Sequence, residues 1–366
     1  MDLPLPLVAV SGPPSECGVA YGKAAAELIA ENTTTYLTRF SSQSGITLEA
    51  ARRAGARFRA TTRERLPRIA AMLDGVAEGA HVAVADVYAL NARTELLYGT
   101  GATPQSECTA IGVLDTRSAT GATLLAQNWD WHPDQRPYTL VLATRDESGF
   151  DVVTLVEAGM LAKAGLNSEG LGVCVNMLTS DRDGRPGGVP YHVLLRAVLE
   201  SPTLHTALVA ACGNPRSASI NILLGQAFGD RIPGEVIDLE IVPGDVGFGY
   251  PVDGVITHAN HFETALPIHD TLKDFGSSSF FRGDRARRLL GDGPIDDKVL
   301  ADVLADHGGY PRAICRHDDG TDIDADRSET LYSIIMNLDE RVLSVAAGPP
   351  CGVESYVDIR LAGLFG

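Results

Sequence analysis

Cys108 is the residue whose type and position suggest covalent chemistry. It lies in SECTAIGV, between a Gly/Pro/polar stretch (99–107) and the first of a series of strand-like segments. Cutting the Glu107–Cys108 bond would make Cys108 an N-terminal residue that carries a thiol and a free α-amine together. An α-amine has a reference pKa of about 7.7–8.0, so it can act as the base for its own thiol. The position therefore allows a cysteine nucleophile that needs no separate histidine.

The remaining cysteines and the paired histidines carry weaker signals. The other five cysteines are scattered without any Cys-x-x-Cys pair, and a lone cysteine is most often a small buried hydrophobe. Cys315 and His317 flank Arg316 and fit no standard metal-ligand spacing. His258 and His261 stand three apart at a strand end, which favours hydrogen-bonded histidines lining a pocket over a metal site. We expect no metal and no resident cofactor.

The elements that must position Cys108 fall into two regions. The first hundred residues read as helices over 16–40, 47–66, from Pro67 onward, and 84–97, with Thr47 as a helix cap. Short strand-like segments follow, separated by Gly, Asn and Asp turns. They span 109–115, 123–131, 138–145, 151–158, 171–178, 219–225, 235–243, 254–260, 330–338 and 341–348, with helical patterns at 189–201, 203–212, 281–291 and 296–306.

Strands in hairpin order with helices bunched between them predict an α+β fold of antiparallel sheets covered by helices. Segments such as LGVCVNML (171–178) are apolar almost throughout, so these sheets should be buried on both faces. A four-layer αββα sandwich satisfies that requirement. The absence of repeats, low-complexity tracts and long linkers predicts a single domain.

The acidic composition of the chain disfavours two classes of binding partner. The chain of 366 residues has a net charge of −17, which disfavours nucleic acid and anionic membrane surfaces, since both require a basic face. No run approaches the apolar length of a membrane span. The N-terminus has no positive region before its short apolar stretch, so we expect no secretory signal, reduced thiols and a cytoplasmic location.

The blocks around Cys108 resemble the acyl-coenzyme A:isopenicillin N (6-aminopenicillanate) acyltransferase family, peptidase family C45, within the N-terminal-nucleophile (Ntn) hydrolases. The likeness starts with CTAIGVLD and LLAQNWDW and continues, in order, through four further blocks. These are LVEAGMLAKAGLNSEGLGVCVNML (155–178), GRPGGVPYHVLLRAVLES (184–201), THANHF (257–262) and RSETLYSIIMNL (327–338). The resemblance implies the Ntn-hydrolase αββα sandwich.

The resemblance also implies roles for individual residues. Cys108 is similar to the family nucleophile, exposed by self-cleavage into a 1–107 α chain and a 108–366 β chain that stay associated. Asn260 is similar to the oxyanion-hole asparagine, and Asp130 with Arg327 to a pair that supports acid–base chemistry. Trp131, His132 and Thr109 fall where the family binds its substrate. Arg282, in FFRGDRARRLL, matches an arginine block for which we expect a surface helix.

Glu107 departs from the family pattern, since the penicillin acyltransferase has glycine before its nucleophile. A bulkier residue could slow the N→S acyl shift, or its carboxylate could assist as a local base, so the efficiency of self-cleavage stays open. The leading hypothesis is a zymogen that becomes a cysteine amidohydrolase cleaving small N-acylated amines or amino acids through a thioester. The alternatives are an N-acyltransferase with a coenzyme A thioester as co-substrate, and an unprocessed binding protein. The sequence leaves a homo-oligomer open.

Overall fold

The computed structural model describes residues 3–99, 108–229, 232–322 and 327–365. A short strand, β1 (Leu7–Ser11), precedes the helices and was not predicted. The predicted helical region is confirmed, and within residues 3–99 it contains α1 (Pro14–Ala24), α2 (Ala26–Ser44), α3 (Leu48–Arg65), α4 (Pro67–Ala80), α5 (Val84–Asn91) and α6 (Arg93–Tyr98).

Local signals account for the ends of these helices. Thr47 caps α3 as predicted, because its Oγ1 accepts the N–H of Ala50 at 3.2 Å. The single helix predicted over 84–97 is instead two helices. Ala92 lies between them with φ −106° and ψ 24°, outside the helical conformation, so the chain turns before α6 leads towards Cys108.

The strands in the described part of the chain form two sheets. The larger sheet comprises, in spatial order, β1, β4 (Thr139–Arg145), β5 (Asp151–Glu157), β6 (Gly165–Asn167), β7 (Leu171–Met177), β8 (Ile220–Gln226), β9 (Glu235–Val242) and β10 (Asp245–Gly249). The smaller sheet comprises β11 (Val255–His258), β2 (Cys108–Val113), β3 (Leu124–Trp131), β12 (Glu329–Asn337), β13 (Val342–Ala347) and β14 (Val357–Arg360). Pairing is antiparallel apart from the parallel pair β1–β4.

The two sheets face each other. The side chain of Gln127 on β3 makes hydrogen bonds to the backbone of Val175 on β7, whose N–H donates to Gln127 Oε1 at 3.2 Å. Every residue of β2, β3, β5, β7 and β8 is buried, which explains why those strands lack polar alternation.

Helices cover the outer face of each sheet. Leu195 and Val198 of α7 (Tyr191–Leu199), with α8 (Leu204–Gly213), pack against the larger sheet. Leu290 of α9 (Ser279–Leu290) and Leu300 of α10 (Asp297–Leu304) pack against the smaller one. The order helix, sheet, sheet, helix confirms the predicted αββα sandwich. No helix in the described ranges is long and apolar enough to cross a membrane.

Candidate active site

Cys108 is the first residue of β2 and is only 2% exposed. Its backbone N–H donates to Asn260 Oδ1 at 2.6 Å, and its carbonyl accepts from Arg282 Nη1 at 2.7 Å. Cys108 pairs with Trp129 across β2 and β3, so their side chains share one face of the sheet. Glu107, on the other side of the predicted cleavage point, lies outside the described residues.

Asn260 is held in one orientation by partners on both ends of its amide. Oδ1 accepts from the Cys108 N–H and from Arg282 Nη2 at 2.9 Å, while Nδ2 donates to the Met177 carbonyl at 3.0 Å. Only this assignment of oxygen and nitrogen matches donors with acceptors. Nδ2 carries a second hydrogen, which is the donor that an oxyanion role would use. That role stays a prediction.

Arg282 is a central residue of this site that sequence reasoning missed. The expected surface position is wrong, because Arg282 is completely buried and its guanidinium contacts Cys108, Asn260 and Thr109. A signal was present in the sequence. Arg282, Ala286 and Leu290 are spaced four apart on α9 and form its buried face, so the apolar periodicity places the arginine inward.

Thr109 and Asp130 project from the face of the smaller sheet opposite to Cys108, as strand alternation requires. Thr109 Oγ1 accepts from Arg282 Nη1 at 2.6 Å, and Asp130 Oδ1 accepts from the Thr330 hydroxyl at 2.6 Å. Thr109 thus contacts the arginine that holds Cys108. Its substrate-binding role and the acid–base role of Asp130 remain predictions.

Arg327 binds Asp318 through Nε and Nη2, at 2.7 and 2.5 Å from Asp318 Oδ2. Its side chain is 42% exposed, in contrast to the buried Cys108, Asn260 and Arg282. The predicted pairing of Arg327 with Asp130 stays a prediction.

A small cavity of about 20 Å³ lies beside the Cys108 side chain. Trp129 and Trp131 form one part of its wall, together with Lys163 and Met177. Trp131 is fixed by its Nε1, which donates to the Tyr36 hydroxyl at 2.7 Å. Trp131 was predicted to bind the substrate and Trp129 was not, although their spacing of two residues places both on one face of β3.

His132 lies next to the Trp131 ring, 4.8 Å between ring centroids in an edge-to-face arrangement. Burial lowers the pKa of His132 to about 3, helped by the charges of Arg39 and Arg93. His132 is therefore neutral near pH 7. Its assigned part in substrate binding stays a prediction.

Lys163 and Glu157 form a buried ion pair at the cavity wall that the sequence analysis did not identify. Lys163 Nζ lies 2.7 Å from Glu157 Oε2 and 3.5 Å from the centroid of the Trp129 ring. Arg93 also contacts Glu157 Oε2, at 3.2 Å, and lies over the Trp131 ring. Burial and the charge of Arg93 lower the pKa of Lys163 to about 7. The sequence did contain a signal for this pair, the single lysine in the apolar run MLAKAGL. A lysine within such a run indicates a buried charge, and a buried charge requires a partner of opposite sign.

The Cys108 thiol is protonated in this uncleaved chain. Burial raises its pKa to about 11, and the negative charge of Asp130 adds to the rise. The positive charges of Lys163 and Arg282 lower the pKa of Cys108, but by less than burial raises it. A thiol in this environment needs a nearby base before it can attack a carbonyl.

His258 and His261 are hydrogen-bonded histidines. His258 Nε2 lies 2.9 Å from Glu240 Oε1, and Nδ1 lies 2.8 Å from the Ala259 carbonyl oxygen. Although burial opposes it, Asp238 and Glu240 raise the pKa of His258 to about 9, so the ring is charged and donates from both nitrogens. His261 Nδ1 lies 2.9 Å from Ser279 Oγ.

The sequence profile of the family described as "Acyl-coenzyme A:6-aminopenicillanic acid acyl-transferase" matches residues 117–351. The chain is 29% identical over 353 residues to the acyl-coenzyme A:6-aminopenicillanic-acid-acyltransferase 40 kDa form of Emericella nidulans, covering 94% of this chain and 92% of that protein.

Two solved structures are also similar. Penicillin V acylase from Agrobacterium tumefaciens has 13% identity and a TM-score of 0.46 over 70% of this chain and 87% of its own. A mutant conjugated bile acid hydrolase from Clostridium perfringens has 12% identity and a TM-score of 0.44 over 70% of this chain and 94% of its own.

Proposed function

The chain belongs to the acyl-coenzyme A:6-aminopenicillanic acid acyl-transferase family, and from that premise we propose that it is a cysteine amidohydrolase activated by self-cleavage before Cys108. Its substrates would be small N-acylated amines or amino acids. The observation that carries the proposal is the 2.6 Å hydrogen bond from the Cys108 N–H to Asn260 Oδ1, next to a cavity that the same residue lines. This hydrogen bond fixes the Cys108 nitrogen, which becomes the α-amine after cleavage, next to the Cys108 thiol.

Activation requires one bond to break within the chain. Cys108 Sγ attacks the carbonyl carbon of residue 107, the C–N bond to Cys108 breaks, and a thioester forms while the nitrogen takes up a proton. Water then hydrolyses the thioester, leaving a carboxylate at residue 107 and a free thiol beside a free amine. The contact of Arg282 with the Cys108 carbonyl and that of Asn260 with its nitrogen keep the residue in place through this change.

The new amine can then serve as the base. Its reference pKa is about 7.7–8.0, and the nearby guanidinium of Arg282 lowers the pKa of the amine further because it disfavours a second positive charge. The amine is then largely unprotonated near neutral pH and free to take up a proton. The amine therefore accepts the thiol proton, and the thiolate attacks the substrate amide carbon. Asn260 Nδ2 donates its second hydrogen to the oxyanion, and removing one such donor typically costs about 10²–10³ in rate. The amine returns the proton to the leaving nitrogen, and water resolves the thioester.

Residues 1–107 would remain bound after cleavage. Asn32 Nδ2 donates to the Ala158 carbonyl at 2.8 Å, and Glu95 Oε1 accepts the Tyr191 N–H at 2.6 Å. The parallel pairing of β1 with β4 places one strand of the first segment in the larger sheet. These buried contacts support a two-chain enzyme, and the six free cysteines are compatible with a cytoplasmic location.

An N-acyltransferase is the second candidate, favoured by the 29% identity to a protein named as an acyl-coenzyme A acyltransferase. In that reaction an amine, not water, resolves the same thioester. The overall charge of −17 disfavours a polyanionic donor at long range. An unprocessed binding protein is the third.

One set of experiments separates the three. Intact-mass analysis of the purified protein tests cleavage, and a panel of N-acyl amides of increasing acyl length tests hydrolysis. An acyl-coenzyme A thioester, given with and without an amine acceptor, tests transfer. Release of free acid from the amides supports the hydrolase. Faster formation of a new amide than of acid supports the transferase, and a single full-length mass without turnover leaves the binding protein.

A further inference from the structure

Four potential metal ligands converge at the end of the smaller sheet where β12 begins and β13 ends, outside the lining of the Cys108 cavity. His307 Nε2 lies 3.1 Å from His317 Nε2, and the Sγ atoms of Cys315 and Cys351 lie 3.5 and 3.4 Å from that same His317 nitrogen. One atom from each of the four side chains lies within 4.8 Å of the others. Both ligand types, imidazole and thiolate, bind soft or borderline metals.

Hydrogen bonding at His317 Nε2 does not account for this cluster. A ring nitrogen has either one hydrogen or one lone pair in the ring plane, so His317 Nε2 can make one good hydrogen bond. It has three close neighbours instead. A cation placed between the four atoms would satisfy each of them with one bond.

The separations match a tetrahedral zinc site. With bonds of about 2.0–2.1 Å to nitrogen and about 2.3 Å to sulfur, tetrahedral geometry puts two nitrogens about 3.3 Å apart and a nitrogen and a sulfur about 3.5 Å apart. The observed distances of 3.1, 3.5 and 3.4 Å lie within a few tenths of an ångström of these values. We propose that His307, Cys315, His317 and Cys351 bind one Zn²⁺ ion.

The site is structural in kind, because four protein ligands leave no open position for a substrate or water. Three ligands lie in the loop after α10, where the Cys315 N–H donates to the Asp306 carbonyl and the His317 N–H to that of Pro311. Cys351 lies in the turn Pro350–Gly352, after β13. Zinc would tie this loop to the end of the sheet.

The zinc-bound loop is linked to the candidate active site by hydrogen bonds that begin at Arg316. This residue lies between Cys315 and His317 in the sequence and is buried. The Arg316 N–H donates to Thr330 Oγ1 at 3.0 Å, and the Thr330 N–H donates to the Arg316 carbonyl at 3.1 Å. Thr330 in turn donates to Asp130. The zinc-bound loop would therefore be a positioning element for Asp130.

The test is the zinc content of the full-length protein, purified without chelator and measured by plasma mass spectrometry. We expect about one equivalent of zinc per chain. Losing one ligand should weaken binding at least as much as second-shell changes, which cost about 10–100-fold, so Cys351→Ser should lose most of the metal on dialysis. Cys212→Ser, at a half-buried cysteine outside the cluster, is the matched control and should keep it.

A second measurement does not depend on the variant folding. Adding Co²⁺ to the metal-stripped wild-type protein should give the visible bands of a tetrahedral ion and a thiolate charge-transfer band, saturating at about one equivalent. Zinc should abolish both. A protein that takes up no zinc, equal zinc in the wild type and Cys351→Ser, or a Cys315–Cys351 disulfide found by non-reducing peptide mapping would overturn the proposal.

Discussion

Arg282 Nη2 lies 2.9 Å from Asn260 Oδ1, the atom that also accepts the N–H of Cys108. A buried guanidinium therefore fixes the amide that faces the nucleophile. Since Arg282 also donates to the Cys108 carbonyl, one side chain on α9 sets the position of both the amide and the first residue of β2. Cys108 lies on a strand and Arg282 on a helix, and both kinds of element hold side chains more rigidly than loops do. Asn260 lies in the loop just after β11.

Replacing the nucleophile should stop both maturation and turnover. We expect the wild-type protein to give fragments of 107 and 259 residues and Cys108→Ala to give one chain of 366 residues, because no other atom there can form the thioester. Intact-mass analysis and N-terminal sequencing measure this. Cys212→Ala is the control and should be cleaved normally. Cleavage of Cys108→Ala at the same bond would contradict the mechanism.

Removing the buried guanidinium should impair catalysis more than folding. Arg282→Gln keeps a polar side chain but loses the charge and at least one donor to Cys108 or Asn260, so we expect kcat to fall by about 10²–10³. Steady-state kinetics on the mature enzyme measures the change. Arg288→Gln, on the exposed side of the same helix, is the matched control. Similar kcat values for the two variants would show that Arg282 is a packing residue only.

Enlarging the cavity should change which acyl groups are accepted. Trp131→Leu removes an aromatic wall beside Cys108, so we expect the ratio of kcat/KM for a long over a short acyl chain to rise at least about tenfold. A series of N-acyl amides with a common amine measures the ratio. The control is Phe281→Leu, at an exposed position. An unchanged acyl preference in Trp131→Leu would place the acyl group elsewhere.

The fold was predictable because its signals are local. Val173 and Val175 belong to a strand without polar alternation, and such strands occur between two covering layers. Thr47 marks a helix start through its own side chain. β1, β6, β10 and β14 were missed because each has only three to five residues, and so short a run shows too little periodicity to be recognised.

The site was less predictable because its contacts join distant residues. Cys108 and Asn260 are 152 residues apart and were linked only through family resemblance. Glu157 and Lys163 are close in sequence, yet their pairing depends on how β5 and the following loop fold over Trp129. Cys351 and His307 come together only in the folded chain, so no spacing rule could connect them.

The buried His258 gives a pH-dependent contribution to stability with a defined sign. Its pKa is about 9 in the folded chain and about 6.5 in an unfolded one. Below pH 6.5 both states bind the proton and the full stabilisation is present. Between pH 6.5 and 9 the unfolded chain releases its proton while the folded chain keeps it, so this contribution decreases as the pH rises.

We therefore expect the free energy of unfolding of His258→Gln to lie well below that of the wild type at pH 6.5, and the gap to narrow by about 1–3 kcal/mol by pH 9.5. Urea unfolding at both pH values measures it. Asp238 has a pKa raised to about 6 by burial, so it is mostly ionised across this window and does not reverse the trend. His205→Gln, at an exposed histidine, should show no such change. A pH-independent gap for His258→Gln would mean that His258 is neutral in the folded chain.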